Sequence, residues 1–438
     1  MTTGHRTRSK TDPHAYLESF VSINDSDQHK AGWRILVTKA MALLSTLGGG
    51  VRTAWLVLGV SLALLAVLEL FYRAQGGIRH RVAEASSPDV SDPRERLSWS
   101  ADYERESEIS TPLRWKPYVY FRRRPFTGRY INIDSSGIRR TIQPEPNIGL
   151  TVDTVFMFGG STMWGNAQRD SGTIPSIVAA RLAEHDIRHA RVVNLGEMGY
   201  VFTQEAIELL LRLRDGARPR AVVFYDGIND VTALVQSGVA GIPQNESHRA
   251  RDFRVGREIF AWKTDLSAEL RAAASIGGAL AFRSQLVQRL LSAAGSSAWA
   301  PRPHDELAAG LLNTYVNTVL LVEAMADDYG FEVIYIWQPS LHTTQKPLTP
   351  FEQHLMGTLD TEPFHATSKT IHTILAQSID SAMTGVAPGR FLNLWQLFAA
   401  DTAGVFVDNI GHTTEEANTA VVGAILTVLL PMLRDGSP

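Results

Sequence analysis

The chain of 438 residues contains no cysteine. This absence excludes disulfide bonds, cysteine nucleophiles and cysteine-based zinc or iron–sulfur sites. A strong charge of one sign is also lacking, because 42 Lys and Arg residues stand against 45 Asp and Glu residues. A chain this close to neutrality carries no global basic field, so we expect no nucleic-acid partner. Hydrophobic residues make up 44% of the chain, which is enough to build a buried core.

Long uncharged apolar runs are scarce, and one near the N-terminus stands out. Residues 54–68 read AWLVLGVSLALLAVL, and residues 70–72 extend the run past Glu69. About 20 apolar residues are needed to cross ~30 Å of hydrocarbon as a helix. The run therefore predicts a transmembrane helix over 54–72 that anchors the chain in a lipid bilayer. A buried core helix is the alternative reading of the same composition.

The charges around this predicted helix indicate its orientation. Seven Lys and Arg residues precede it, and three follow it closely. Since cytoplasmic flanks of membrane helices are richer in Lys and Arg, we expect residues 1–53 to form a cytoplasmic tail. The rest of the chain would then lie outside a bacterial inner membrane, attached by a single pass. A second apolar run, 35–47, is interrupted by Lys39 and predicts an amphipathic helix at the membrane surface.

Composition then divides the remainder of the chain into a connecting part and a main domain. Residues 73–150 are predicted to form an exposed linker, rich in charge, Ser and Pro in its first half, with a small β element over 115–141. Arginines 122–124 within that element are expected to lie on a solvated sheet edge. The main domain is predicted over 151–434, with a partly helical insertion at 235–303.

Apolar strand candidates alternate with helical segments in the main domain. This βαβ rhythm predicts an α/β domain with a parallel sheet that is covered by helices on both faces. The helices are expected at 174–185, 204–214 and 307–329, where apolar residues recur three and four positions apart. The five strands are expected at 155–158, 191–194, 221–225, 332–337 and 404–407.

Four of the predicted strand ends carry residues that can do chemistry. Gly159-Gly160 before Ser161 favours a sharp turn that presents the hydroxyl, and the later ends supply Gly199, Asn229 and the pair Asp408 and His412. Each of these residues taken alone is more often part of an ordinary turn. Because ligands bind beyond the carboxyl ends of parallel strands, we expect all of them at one sheet edge. Together they supply a nucleophile, a base with an acidic partner, and oxyanion donors.

This order of residues resembles the SGNH/GDSL hydrolase family, over roughly residues 151–434. The resemblance implies a flavodoxin-like three-layer α/β/α sandwich with a five-stranded parallel sheet and chemistry without a metal or cofactor. It also implies Ser161 as nucleophile, His412 as general base and Asp408 as its partner. The Ser161 amide, the Gly199 amide and the Asn229 side chain would form the oxyanion hole, with Gly199 preferred over Gly196. Segments 132–139 and 337–340 resemble a membrane-anchored bacterial branch of the family.

One spacing departs from the family pattern. The family usually separates acid and histidine as D-x-x-H, whereas Asp408 and His412 are four positions apart and Asn409 holds the usual acid position. Either a one-residue bulge at Gly411 restores the contact, or the base is poorly oriented.

The resemblance and the predicted topology together suggest an activity. We expect a membrane-anchored serine esterase that removes acyl groups from O-acylated envelope polysaccharide or lipid through an acyl-serine intermediate. An O-acyltransferase of the same fold, acting on envelope glycan, is the nearest alternative. A catalytically silent glycan-binding component, working with envelope-glycan assembly partners, is the alternative from a different class, and the unusual Asp408–His412 spacing motivates it.

Overall fold

The computed structural model describes residues 92–144, 152–253, 302–359 and 363–434, together with residues 34, 38 and 39 and most of 56–71. The chain divides into two units, one of Met1–Ala85 with Gly277–Leu291 and one of Ser86–Ile276 with Ser292–Pro438. Apart from residues 38 and 39, the predicted amphipathic helix over 35–47 lies outside the described residues, as do most of the cytoplasmic tail and the part of the insertion from 254 to 301. The predicted domain boundaries stay predictions.

In the first unit, a helix runs over Gly59–Phe71. Its large apolar side chains are exposed, and Leu64 and Leu70 each present more than 60% of their surface. Residues 54, 55, 58, 62 and 72 of the predicted membrane span lie outside the described residues. The transmembrane helix therefore stays a prediction, although the described part is helical and apolar on its surface.

The second unit contains a five-stranded sheet in which all strand pairs are parallel. If the five strands of this sheet are counted from one to five along the chain, their spatial order across the sheet is 2-1-3-4-5. This is the flavodoxin-like order. The bounds of the strands are β1 Leu113–Lys116, β2 Tyr120–Arg123, β3 Phe126–Thr127, β4 Asn132–Ile133, β5 Asp153–Gly159, β6 Ala190–Asn194, β7 Ala221–Asp226, β8 Glu332–Trp337 and β9 Phe391–Asn393. Strands β5 to β9 form the parallel sheet, and β1 to β4 form two short antiparallel pairs.

Helices cover both faces of the parallel sheet, as expected for a three-layer sandwich. Their bounds are α1 Ser100–Ser110, α2 Ser161–Trp164, α3 Ile174–Glu184, α4 Phe202–Arg214, α5 Ile228–Ser237, α6 His304–Tyr329, α7 Pro350–Leu359, α8 Pro363–Met383 and α9 Glu415–Arg434. One buried cluster joins the sheet to α3 and α9, and a second joins the opposite face to α4, α5, α6 and α8.

The alternation of side chains along β5 shows why both faces need helices. Val155 and Met157 belong to the first cluster, whereas Phe156 and Phe158 belong to the second. Successive residues of a strand point to opposite faces. The apolar run Val155–Phe158 of this central strand therefore buries both faces, and the predicted doubly covered sheet is confirmed.

Two described helices, α6 and α9, are long and apolar enough to cross a bilayer by length and composition. Each packs a buried face against the sheet domain, with Leu311 and Val319 of α6 in one cluster and Val421 and Ile425 of α9 in the other. A core helix of a large α/β domain needs the same apolar content. These contacts account for the buried part of each helix, which is 33% of the most apolar stretch in α6 and 44% in α9.

The fifth predicted strand, 404–407, is wrong. The fifth strand of the sheet is Phe391–Asn393, and Phe406 makes an isolated antiparallel bridge with Thr413. The amides of Val405 and Phe406 donate to Oε1 of Glu352, at 2.9 and 3.1 Å. A buried carboxylate thus satisfies backbone groups that a neighbouring strand would otherwise pair.

The small β element predicted over 115–141 is present, but the expected solvated arginine edge is wrong at two of three positions. Arg122 and Arg123 are buried, and Arg124 is exposed. Strand β2 faces the main domain, so its arginines pair with groups of that domain. The chain on its own shows three basic residues in a row, and only the packing distinguishes them.

Three carboxyl groups are buried near the end of β7, on Glu205, Asp226 and Asp230. Burial raises the pKa of Glu205 and of Asp226 well above their usual range, and repulsion from the neighbouring carboxylates adds to the shift. Burial also raises the pKa of Asp230, to about 6, although backbone amides of Phe202 and Gly227 donate to it and oppose the shift.

We expect these carboxyl groups to make the fold less stable as the pH rises. A carboxyl with a higher pKa in the folded chain binds more protons there than in the unfolded chain, so its contribution to the free energy of unfolding is lost as pH rises through the folded pKa. Asp226→Asn should therefore raise the melting temperature at pH 8 and change it little at pH 4. Asp328→Asn, on an exposed position of α6, is the matched control. An equal shift at both pH values would contradict the expectation.

Candidate active site

The serine follows the central strand and opens a very short helix. Gly160 precedes it, and Ser161 is the first residue of α2. A Cβ atom at position 160 would lie only 2.0 Å from Nδ2 of Asn229, so the close approach of that amide requires glycine there. The first N–H groups of a helix have no intrahelical acceptor, which leaves the Ser161 amide available at the sheet edge.

The histidine lies in a loop that is closed by backbone pairing on both sides. The amide of Val407 donates to the carbonyl of His412 at 2.9 Å, and Phe406 bridges to Thr413. Within the loop, Oδ1 of Asp408 accepts three backbone N–H groups, from residues 410, 411 and 412, at 3.0 to 3.2 Å. The carboxylate therefore organises the loop that carries the histidine.

The extra residue between acid and histidine is accommodated at Gly411. Its φ of +107° lies in a region that side chains avoid, so the turn depends on glycine. With this turn, Nδ1 of His412 contacts Oδ2 of Asp408. Asn409, which holds the usual acid position of the family, lines the adjacent cavity instead.

The structure brings the serine, histidine and aspartate into a hydrogen-bonded chain. Nε2 of His412 lies 2.6 Å from Oγ of Ser161, across 251 positions of sequence, and both side chains are buried. The contact with Asp408 assigns the proton of the neutral imidazole to Nδ1, which leaves the Nε2 lone pair facing the serine hydroxyl. The arrangement can therefore take a proton from Ser161.

Asp408 is held in its charged form. Burial by itself would raise the pKa of this carboxyl, but the neighbouring His412 and the hydrogen bonds from His412 and Ile410 lower it to about 2. A carboxylate that stays ionised throughout the neutral range can stabilise an imidazolium on His412.

The Asn229 side chain is oriented by two hydrogen bonds next to the serine. Its Nδ2 donates to the carbonyl of Tyr200 at 2.8 Å, and its Oδ1 accepts from Nε2 of Gln244 at 2.9 Å. An amide nitrogen carries two N–H groups, so one remains for a substrate oxygen. The adjacent Asp230 does not enter this site, because its carboxylate accepts the amides of Phe202 and Gly227.

Of the two glycines after β6, the structure places Gly199 on the cavity that contains Ser161. Gly196 packs against α2 instead, where an added Cβ would lie 2.5 Å from the amide nitrogen of Trp164. Gly199 and Asn229 therefore line the same cavity as Ser161 and His412.

This cavity has a volume of about 390 Å³. Its walls include side chains that the sequence analysis did not select, and the lining residues beyond the predicted set include Asn166, Ile228, Thr232, Gln236, Gln244, His342, Phe364, His365 and Ser368. These residues come from helices and loops that are distant in sequence. Asn166, Ile228 and Thr232 could have been noticed from the sequence, because they lie within five positions of Ser161 or Asn229.

The two segments that resemble the membrane-anchored branch lie against the site. Arg139 is buried and donates to Asp170, at 2.9 Å, and to the carbonyls of Gly165 and Gln168 in the loop that follows α2. Nε2 of Gln338 lies 3.5 Å from Oγ1 of Thr162, directly after the serine. The two segments thus contact residues that directly follow Ser161.

The described residues also form a second cavity, which is larger than the one beside Ser161. This larger cavity of about 710 Å³ lies beside β6, lined by residues such as Asn132, Arg140 and Asn194, and it contains none of the predicted site residues. Within the described ranges there is no group of three His, Asp or Glu side chains able to hold a metal ion.

Comparison with known proteins gives structural matches alone. No family model matches the sequence. No curated protein matches it either. An alpha/beta hydrolase enzyme, LAE5, from the metagenome of Lake Arreo is 14% identical, with a TM-score of 0.33, over 65% of this chain and 99% of its own. A carbohydrate acetylesterase family member from Sinorhizobium meliloti is 16% identical, with a TM-score of 0.32, over 64% and 99%. A member of the lipolytic G-D-S-L family from Veillonella parvula is 12% identical, with a TM-score of 0.34, over 64% and 99%.

These likenesses are weak in both sequence identity and structural superposition.

The unusual acid–histidine spacing yields a direct prediction. Asp408→Asn should lower kcat for an activated ester by about 10³- to 10⁴-fold, because the amide favours the wrong tautomer of His412. The double variant Asp408→Asn/Asn409→Asp restores the usual family spacing in sequence, yet it should stay as slow as the single variant, because position 409 faces the cavity. The measurement is steady-state hydrolysis of p-nitrophenyl acetate. Recovery of activity in the double variant would show that the loop can realign and that the observed geometry is not required.

Proposed function

We propose that the chain is a serine esterase of the SGNH/GDSL hydrolase type that works through an acyl-serine intermediate. The observation that carries the proposal is the 2.6 Å contact between Oγ of Ser161 and Nε2 of His412, with Asp408 on the opposite ring nitrogen. A hydroxyl, an imidazole and a carboxylate in this order are the parts that nucleophilic acyl transfer requires.

In the proposed acylation step, Nε2 of His412 takes the proton of Ser161 while Oγ attacks the ester carbonyl carbon. The carbonyl electrons move onto its oxygen, and Asp408 stabilises the imidazolium. When the tetrahedral intermediate collapses, the bond to the alkoxy group breaks and His412 gives its proton to the departing alcohol. A water molecule then repeats the sequence on the acyl-serine, which releases the carboxylic acid and restores the serine.

The amides of Ser161 and Gly199 and the Asn229 side chain are proposed to stabilise the oxyanion. The supporting geometry is the position of Gly199 and Asn229 on the serine cavity, and the orientation of Asn229 by Tyr200 and Gln244. Preorganised donors of this kind act where negative charge develops, so they lower the barrier more than they strengthen binding.

We infer that the substrate is an O-acylated polysaccharide or lipid of the cell envelope, with an acylated glycan favoured by the cavity. Its walls combine hydrogen-bonding side chains, such as Thr232, Gln236 and Gln244, with the rings of His342 and Phe364. Polar groups that orient a ligand, set among apolar and ring surfaces, are typical of small-ligand sites.

Attachment to the inner membrane by one helix over 54–72 belongs to the same proposal. It is supported by the exposed apolar side chains of the Gly59–Phe71 helix and by the excess of basic residues before it. The catalytic unit would then act outside the cytoplasm, where envelope glycans and lipids are found.

The same acyl-serine could pass its acyl group to a sugar hydroxyl, which would make the chain an O-acyltransferase. The polar cavity wall that supports a glycan substrate supports this alternative equally. The catalytically silent alternative rests on the unusual Asp408–His412 spacing, and the contact between the two side chains supports the esterase over it.

The proposed function is tested with a fluorophosphonate probe and two p-nitrophenyl esters, the acetate and the butyrate. The full chain, solubilised in detergent, should take one probe molecule per chain and hydrolyse the acetate. Ser161→Ala should take no probe, and His412→Ala should label and hydrolyse at least ~10³-fold more slowly. Release of acetate from an acetylated glycan, compared with transfer of acetyl to a sugar acceptor, separates esterase from transferase. A folded wild-type chain that neither labels nor hydrolyses would favour the silent component.

The oxyanion assignment gives a separate prediction. Asn229→Ala should lower kcat about 10²- to 10³-fold and leave KM within a few fold, since the lost hydrogen bond forms mainly in the transition state. The labelling stoichiometry should stay at one probe per chain, because the serine and histidine remain. A kcat equal to that of the wild type would remove Asn229 from the oxyanion hole.

A further inference from the structure

Strand β2 lies against the loop that carries Gly199, and its Arg122 side chain binds backbone carbonyl groups of that loop. The guanidinium is fully buried and donates to two successive carbonyls, that of Leu195 at 3.0 Å and that of Gly196 at 3.0 Å. Arginine presents several N–H donors in a fixed planar array, so it can hold two neighbouring acceptors at once. The loop is thereby fixed three residues before the proposed oxyanion amide.

Glu197, the next residue of the loop, ties it to the backbone of β2. Its Oε2 accepts the amide of Arg123 at 3.2 Å, and its Oε1 accepts the amide of Met198 at 2.9 Å. The same carboxylate lies 4.0 Å from the Arg122 guanidinium and 3.6 Å from that of Arg123. The negative charge is thus buried among cations and donors, as a buried charge must be.

Tyr200 connects the strand to the other proposed oxyanion donor. Its hydroxyl donates to the carbonyl of Phe121 in β2, and its ring lies 5.0 Å from the Arg122 guanidinium carbon. Its carbonyl accepts the Nδ2 hydrogen bond of Asn229 at 2.8 Å. One residue therefore links β2, the Gly199 loop and the Asn229 amide.

These hydrogen bonds join β2 to residues 195–200, and the Arg122 guanidinium also lies 3.7 Å from Oε1 of Glu208 in α4. The parallel sheet and its two buried clusters contain no residue of β2. The N-terminal β element packs its own small cluster, which includes Trp164 of α2. The buried Arg122 of this element contacts the loop of residues 195–200, whereas the equally buried Arg139 contacts the loop that follows α2.

We propose that Arg122 and Tyr200 are positioning residues that hold the Gly199 amide and the Asn229 side chain at the oxyanion position. The inference rests on the proposed esterase function and deepens it. Substrate contacts neither residue in this account, because both act through the loop of 195–200. The small β element would then be a part of the active site, although it precedes the α/β domain in sequence.

The experiment compares Arg122→Lys and Tyr200→Phe with Arg124→Lys, the exposed neighbour, in the full chain. Active sites are titrated with the fluorophosphonate probe, and kcat per titrated site and KM are measured on p-nitrophenyl acetate. Lysine keeps the buried charge but cannot span both carbonyls. We expect kcat per titrated site to fall about tenfold in Arg122→Lys and several fold in Tyr200→Phe. These losses are smaller than the ~10²- to 10³-fold loss of a whole oxyanion donor.

KM should stay within about twofold, and the midpoint of the pH profile of kcat/KM should not move, because His412 and Asp408 are untouched. Arg124→Lys should match the wild type in every parameter. A purely structural role of β2 would lower the melting temperature and the titrated fraction but leave kcat per titrated site unchanged, and that result would overturn the inference.

Two further outcomes are distinguishable. If Arg122→Lys does not fold, Tyr200→Phe decides, because it removes one hydroxyl and keeps the ring against Arg122. If the wild-type chain neither takes the probe nor hydrolyses the ester, the proposed function fails, and the inference fails with it. An active wild type with unchanged kcat per titrated site in both variants overturns the inference alone.

Discussion

The active-site geometry depends on one hydrogen bond, between Oγ of Ser161 and Nε2 of His412. The two residues come from opposite ends of the domain, so their contact requires the whole parallel sheet between them. Ser161 lies just after the carboxyl end of strand β5, and His412 lies at the same edge of the sheet, in the loop before α9. The carboxyl ends of parallel strands meet at a common edge of the sheet. The pairing of the parallel strands therefore helps to fix the distance between Ser161 and His412.

A second layer of buried polar groups surrounds that contact. Arg139 holds the loop after the serine, Arg122 and Glu197 hold the loop of Gly199, and Asp408 accepts three amides of the histidine loop. In each case, a charged side chain satisfies backbone groups of an irregular segment that cannot pair within a sheet or helix. Catalytic loops need such support, because a displacement of about 1 Å can be costly in rate.

The sequence predicted the sheet, four of its five strands and all five proposed catalytic residues, because apolar periodicity and strand-end motifs are local signals. It mispredicted the segment 404–407 as a strand. Glu352 satisfies two amides of that segment, and a three-residue strand, Phe391–Asn393, completes the sheet instead. It also placed Arg122 at a solvated edge. Neither error could be avoided from the local sequence. In both cases the residue that binds the mispredicted segment lies more than fifty positions away in the chain.

The amino-acid pattern by itself determined the α/β class and the apolar N-terminal run, and it selected the candidate site residues, since these follow from composition and short-range order. The tertiary structure decided whether Asp408 reaches His412 despite the four-residue spacing, which glycine of 196 and 199 faces the serine, and which arginines of β2 are buried. The choice of glycine and the burial of the arginines depend on packing between segments that are far apart in the chain, whereas the Asp408–His412 contact depends on the local turn at Gly411. Neither that packing nor the φ of +107° at Gly411 can be derived from residue order alone.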